Sequence, residues 1–357
     1  MFFEVRKFWN FLALILIKSI MKLPIKKRYL IPVLLIAAYF LGPRPAYPKI
    51  ESKITPLDIP LEKIDAYLAK KEAKVANLKP DNQKQIIWAD SIRKTEWAVV
   101  YLHGFSASAV EGDPVHRRFA ERYGANLFLA RLAEHGINDR EVFKNVRPRD
   151  WVDSAKEAIA IGKLIGEKVI VMSCSTGSTH SAFLAGENPG FVDAQIMYSP
   201  NFALDASGTG LMTGPWGMQL TRLLSGGDYR QLGLPEPCHP YWTVEYRVEG
   251  IVAMQALLDA TMQPQYFEKT TQPTYIGYYY KDENNYDGVV SIPAMKKYME
   301  TIRTPADEKK IQAFPNVDSH VIVSGLQSKD WKTVERETNA FAENTLGMKP
   351  LKNSNDD

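Results

Sequence analysis

From about residue 84 the chain alternates short runs rich in β-branched and aromatic residues with longer stretches whose apolar positions recur every three or four residues. The short runs predict strands over IIWA, WAVVYLHGF, NLFLARL, KVIVMSC, AQIMYSP, TYIGYYY and KIQAFP. Between and after them, PVHRRFAERYG, DWVDSAKEAIAIGKLIG, the stretch from Thr176 to Ala185 and the segment 328–344 predict helices. Strands apolar on both faces and separated by helices point to an α/β fold with a mostly parallel sheet covered by helices on both faces. Right-handed crossovers then bring the strand C-termini to one edge, where ligands bind in such sheets. The alternation breaks over 201–272, a long insert rich in Gly, Pro, Met and Trp with helical patterns near 215–224 and 247–261. Such an insert is expected to lie over the strand ends as a cap.

Upstream, residues 29–42 (YLIPVLLIAAYFLG) form an uncharged apolar run, preceded by KLPIKKR and followed by PRPAYP. This predicts a membrane-targeting segment within 1–45. At about fourteen residues the run is shorter than the roughly 20 needed to span a bilayer comfortably, and it lacks a clean cleavage site, so an uncleaved anchor is preferred over a signal peptide. Lys22, Lys26, Lys27 and Arg28 precede the run and only Arg44 follows closely, which puts the body on the non-cytoplasmic side. The earlier stretch at 8–17 is expected to lie flat in the interface, unless Met21 is the true start; a buried N-terminal helix is the alternative. Next comes a linker, 46–83, whose Leu61, Ile64 and Leu68 share one face of a predicted surface helix spacing the body from the membrane. The main domain then covers 84–345, and 346–357 is expected to be a flexible tail.

Composition narrows the function. With 357 residues, 45% of them hydrophobic, the chain can bury one large core. Its 44 basic and 41 acidic residues nearly cancel, and no basic run interleaved with aromatics follows the N-terminus, so nucleic acid is not expected as a partner. Two cysteines, Cys174 and Cys238, make neither a disulfide framework nor a CxxC zinc pair. No metal or organic cofactor is expected.

The sharpest chemical signal is KVIVMSCSTGSTH, which sets Ser175 directly after an apolar strand and directly before a helix. Ser173 and Gly177 flank it two residues away on either side. Small residues there let strand and helix approach around a strained turn, giving the G-x-S-x-G elbow with serine in the first glycine's place. The helix start leaves free N–H groups suited to an anion, Thr176 among them. A second motif, His103-Gly104-Phe105, ends the strand VVYLHGF; alone it is as well explained by a strand-ending turn with a core phenylalanine.

In order along the chain, LHGF, SCSTG, YDGVVS and DSH resemble the α/β-hydrolase superfamily, and within it bacterial carboxylesterases and monoacylglycerol-lipase-like enzymes, over about residues 84–345. Ser173 and Glu134 depart from the pattern. The resemblance implies a Ser, then acid, then His order. His180 lies in the elbow helix and His239 in the cap, which leaves His320, in the loop after KIQAFP, as the base. Asp287 in YDGVVS is the preferred acid, Asp282 the alternative; Glu283 is read as a solvated charge and Asp318 as a local loop hydrogen bonder. By the same likeness, Phe105 and Thr176 supply the oxyanion N–H groups. The implied activity is a carboxylesterase or lipase-like serine hydrolase acting through an acyl-enzyme on a small-molecule acyl ester.

The cap's apolar cluster around Leu211, Met212, Trp216, Met218 and Leu220 is expected to shape an acyl pocket, with Trp216 and Met218 as substrate-binding residues, unless the cluster only fixes the cap to the sheet. Two rival functions stay open. An aminopeptidase or thioesterase would share the chemistry, a peptidase using an acid such as Glu134, Glu245 or Glu249 to hold a substrate amine; a non-catalytic membrane-tethered binding protein would not need the triad.

Overall fold

A computed structural model describes residues 25–46 and 49–351. The stretch at 8–17, Met21 and Lys22 lie outside the described residues, as does the end of the expected tail from 352. The body is built on seven strands: β1 (Gln85–Ile87), β2 (Thr95–Leu102), β3 (Asn126–Leu129), β4 (Gly166–Cys174), β5 (Ala194–Tyr198), β6 (Thr274–Asp282) and β7 (Lys309–Phe314). They lie in the order β1-β3-β2-β4-β5-β6-β7, all neighbours parallel except β1 against β3. A short strand, Asn285–Tyr286, folds back on the end of β6.

Successive residues of the central strands feed two separate cores because side chains alternate across a sheet. Ala98, Val100 and Leu102 of β2 face one core with Val169 and Val171 of β4, while Val99 and Tyr101 face the other with Ile170 and Met172. Helices α4 (Pro148–Ile165) and α5 (Thr176–Ala185) cover the first face through Trp151, Ala155, Ile159, Phe183 and Leu184. On the second, α3 (Val115–Tyr123) and α9 (Trp331–Asn344) pack Phe119, Val334 and Phe341. The expected two-sided, mostly parallel sheet is therefore present. Register brings Leu102, Ser173 and Met197 side by side, so β2, β4 and β5 all end along one edge.

The insert contains α6 (Gly217–Ser225), α7 (Glu249–Thr261) and a two-stranded ribbon, Tyr229–Gln231 with Glu245–Arg247. Helix α8 (Ile292–Thr301), which the sequence pattern did not single out, fills the crossover before β7.

The two ends of the chain differ from expectation. The linker helix α2 (Ile64–Glu72) is no free spacer: Ile64 and Leu68 are buried in the core, and Glu72 forms a double-toothed buried pair with Arg131 at 2.8 Å for each tooth. An amphipathic pattern identifies a face to be buried but not the partner it is buried against, and here the partner is the body itself. Likewise the tail is not free up to 351, since Met348 is buried and Leu351 donates its N–H to the Arg122 carbonyl.

The N-terminal helix α1 (Ile25–Phe40) leaves Leu30, Val33, Leu34, Leu35, Ile36 and Phe40 exposed. Among the described residues no helix is long and apolar enough to cross a membrane.

Candidate active site

Ser175 sits between β4 and α5 with φ 50° and ψ −120°, a conformation that side-chain-bearing residues rarely adopt. Three backbone bonds hold this turn: Ser175 N–H to the Tyr198 carbonyl (3.0 Å), and Ser178 N–H (3.0 Å) and Asn201 N–H (3.1 Å) to the Ser175 carbonyl. Gly177 makes the tight packing possible. A Cβ there would fall 2.0 Å from the Leu102 carbonyl oxygen, so only glycine lets α5 press against β2. Ser173, the departure from the glycine pattern, fits because its hydroxyl pairs with that of Ser178 at 3.0 Å. The Ser175 hydroxyl itself has no hydrogen-bond partner among the described residues.

Among the N–H groups near this turn, those of Phe105 and Thr176 have no acceptor among the described residues. Thr176 opens α5, where helix geometry leaves the first donors unused. Phe105 stands in the loop after β2, its ring against Phe143 (4.9 Å between centroids), Tyr246 (5.2 Å) and Trp151 (5.7 Å). Tyr246 belongs to the insert, and Thr243 N–H donates to the Ser106 carbonyl at 2.7 Å, so the cap braces this loop directly.

His320 and Asp287 are brought together from the loops that follow β7 and β6. Nδ1 of His320 lies 2.8 Å from Oδ2 of Asp287, and the other carboxylate oxygen accepts the Val289 N–H at 3.1 Å. Asp287 is almost wholly buried, which opposes its ionisation. The adjacent imidazole, with its charge and hydrogen bond, and the Val289 N–H outweigh that cost and hold the carboxyl below its ordinary range. Asp282, by contrast, is exposed and bonds Asn284 and Asn285 within its own turn. Asp318 is tied to Lys329 and Tyr279. His180 is fully buried with neither ring nitrogen partnered among the described residues, and burial pushes it down to about 3. His239 bonds the Leu234 carbonyl within the cap.

No hydrogen bond or ring contact among the described residues joins Trp216 or Met218, the two expected substrate-binding residues, to Ser175. Trp216 donates its indole N–H to the Ala38 carbonyl (3.0 Å) and its backbone N–H to the Pro43 carbonyl (2.8 Å), clasping the C-terminal end of α1. Met218 lines a separate cavity of about 370 Å³ with Pro45, Lys49, Arg149 and Val252. The expectation rested on composition, and an apolar segment of a cap has several surfaces to cover. The residues that do reach the elbow are Met254 of α7, whose sulfur lies 3.7 Å from the Thr176 hydroxyl, and Asn201, whose amide lies 3.3 Å from the same hydroxyl. Met254 falls within the helical pattern at 247–261, and periodicity alone did not tell it from its apolar neighbours.

The carboxylates that could have held a substrate amine are all engaged. Glu134 accepts the Phe143 N–H at 2.6 Å, Glu245 pairs with Arg140, and Glu249 is held by both Arg247 and Arg222. Among the described residues no group of His, Cys, Asp and Glu side chains could hold a metal ion.

No protein-family model matches the chain, and no curated protein matches it. Solved structures do. One, reported with the metagenome-derived lipolytic enzymes LipS and LipT, has a TM-score of 0.57 at 16% identity, over 74% of this chain and 98% of that one. Another, a soluble variant of monoglyceride lipase from Saccharomyces cerevisiae in complex with a substrate analog, has a TM-score of 0.53 at 12% identity, over 85% and 99%. At such identities the likeness speaks for the fold.

Proposed function

We propose that this chain, an α/β hydrolase by its fold, is a serine esterase that cleaves carboxylic esters through an acyl-enzyme, with Ser175 as nucleophile. The observation that carries the proposal is the strained backbone of Ser175, set at the edge of the sheet where β4 passes into α5. Strain of this kind clusters at functional sites.

The steps follow from the groups present. His320 has Nδ1 committed to Asp287, so Nε2 is the nitrogen that takes the Ser175 proton as Oγ attacks the acyl carbon. Asp287 fixes the tautomer and stabilises the imidazolium. Phe105 and Thr176 N–H groups receive the negative oxygen of the tetrahedral intermediate. Its collapse expels the alcohol, protonated by His320, and water then releases the acid by the same base. Ester hydrolysis is favoured over aminopeptidase chemistry because Glu134, Glu245 and Glu249 are already bonded within the protein.

The exposed apolar surface of α1 supports a membrane tether as part of this reading, with the basic residues that precede its apolar run on the cytoplasmic side and the body opposite. Labelling with a fluorophosphonate probe, followed by peptide mapping, tests the assignment: the label is expected on Ser175, and a labelled site elsewhere or none at all contradicts it.

A further inference from the structure

Resting on the reading that the Phe105 N–H receives the oxyanion, we propose that Glu111 is a positioning residue that clamps Gly104 and so keeps that donor aimed at the site. Glu111 lies in the short turn Ala109–Gly112 and is 1% exposed. Its Oε1 accepts the Gly104 N–H at 2.5 Å and the Tyr101 hydroxyl at 3.3 Å. Gly104 is enclosed between the carboxyl and the nucleophile: a Cβ placed on it would be 3.2 Å from Oε2 of Glu111 and 3.0 Å from Cβ of Ser175.

The other side of Gly104 is held as well. His103 accepts the Leu132 N–H at Nε2 (3.0 Å), so its proton is on Nδ1, which donates to the Gly104 carbonyl at 2.9 Å. A trans peptide carries its C=O and N–H in opposite directions, so pinning the Gly104 oxygen fixes the direction of the Phe105 N–H. Glu111 fixes the preceding peptide. Two buried side chains thus hold the peptides on both sides of Gly104 and keep the Phe105 N–H from turning away.

Glu111 has no cationic partner among the described residues. The titratable groups around it are Tyr101 and Cys174, with Tyr198, His116 and Asp287 beyond. Burial pushes its carboxyl up to about 8. Below that it is a neutral acid that still accepts from Gly104; above it, a buried anion stands next to the position where the oxyanion develops, and like charges oppose each other there.

The test uses the full chain, with Glu111→Gln and Glu111→Leu assayed on a short-chain nitrophenyl ester from pH 6 to 10, folding being checked by circular dichroism. Glutamine mimics the neutral acid. It is expected to keep kcat within about threefold at pH 7 and to lose the fall in kcat above about pH 8 that is expected of the wild type. Leucine removes the clamp and is expected to lower kcat by about 10²-fold with little change in KM, the scale of losing an oxyanion donor. Wild-type kcat in a folded Glu111→Leu, or an unchanged alkaline fall in Glu111→Gln, overturns the proposal; should the leucine variant not fold, the glutamine profile decides alone. A wild type without Ser175-dependent turnover contradicts the hydrolase reading itself, and the Glu111 assignment falls with it.

Discussion

Nδ1 of His320 and Oδ2 of Asp287 lie 2.8 Å apart although 33 residues separate them in the chain. Asp287 stands in the loop after β6 and His320 in the loop after β7, and the contact exists because these two strands are neighbours. Asp287→Asn is therefore expected to lower kcat by about 10⁴-fold, as removal of the orienting acid does in other triads. Asp282→Asn, made at the exposed alternative, should leave kcat within about twofold. Steady-state kinetics on the two variants decide between the acids, and the reverse pattern would move the role to Asp282.

Chain-length preference is expected to depend on Met254 and not on Trp216. Met254→Ala opens space beside Thr176 and should shift the preferred acyl chain in a series of nitrophenyl esters. Trp216→Ala should leave that preference unchanged but loosen α1, read as faster amide hydrogen exchange in that helix. A shifted preference in Trp216→Ala would restore the cap cluster as the pocket wall.

The pair formed by Glu72 and Arg131 gives a stability test of the linker's place in the body. Glu72→Ala leaves the guanidinium buried without its partner, and such losses cost about 3 to 5 kcal/mol. Denaturant titration measures it; a change within about 0.5 kcal/mol would fit the spacer expected from the sequence instead.

Acid is expected to weaken the fold through its buried histidines. His103 and His116 are pushed down to about 4 and His180 to about 3, in each case by burial foremost. Because the folded state binds their protons less readily than the unfolded chain, this contribution is complete above the ordinary histidine range near 6.5 and is lost as pH falls toward 4. Melting temperature should drop across that window, and His180→Phe should make the drop shallower, since His180 has no ring partner to lose among the described residues. An identical drop in the variant would remove His180 from the account.

Much of this was legible in the chain because the signals were local or repeated. Seven strand runs and the elbow around Ser175 each carry their own pattern, and the small residues Ser173 and Gly177 announce the close approach that Leu102 requires. What escaped was the identity of contact partners. Leu68 shows that it must be buried, but not that the body buries it; Trp216 shows an apolar surface, but not that Ala38 lies against it. Glu111 looked like one acid among 41. Only the fold places it beneath Gly104, because nothing in a sequence distinguishes a solvated carboxylate from one closed off by Tyr101 and Cys174.

The central claim is that the strained serine at the end of β4 performs the chemistry. Ser175→Ala removes a single oxygen that has no other partner among the described residues, so the fold should survive with its melting temperature nearly unchanged. The most direct measurement is kcat/KM of this variant on a short acyl ester beside Ser173→Ala, whose hydroxyl pairs with Ser178 instead. The account expects a loss of roughly 10⁶-fold at Ser175, as in well-studied serine hydrolases, and near wild-type turnover at Ser173; a folded Ser175→Ala variant that still hydrolyses the ester at the wild-type rate would contradict it.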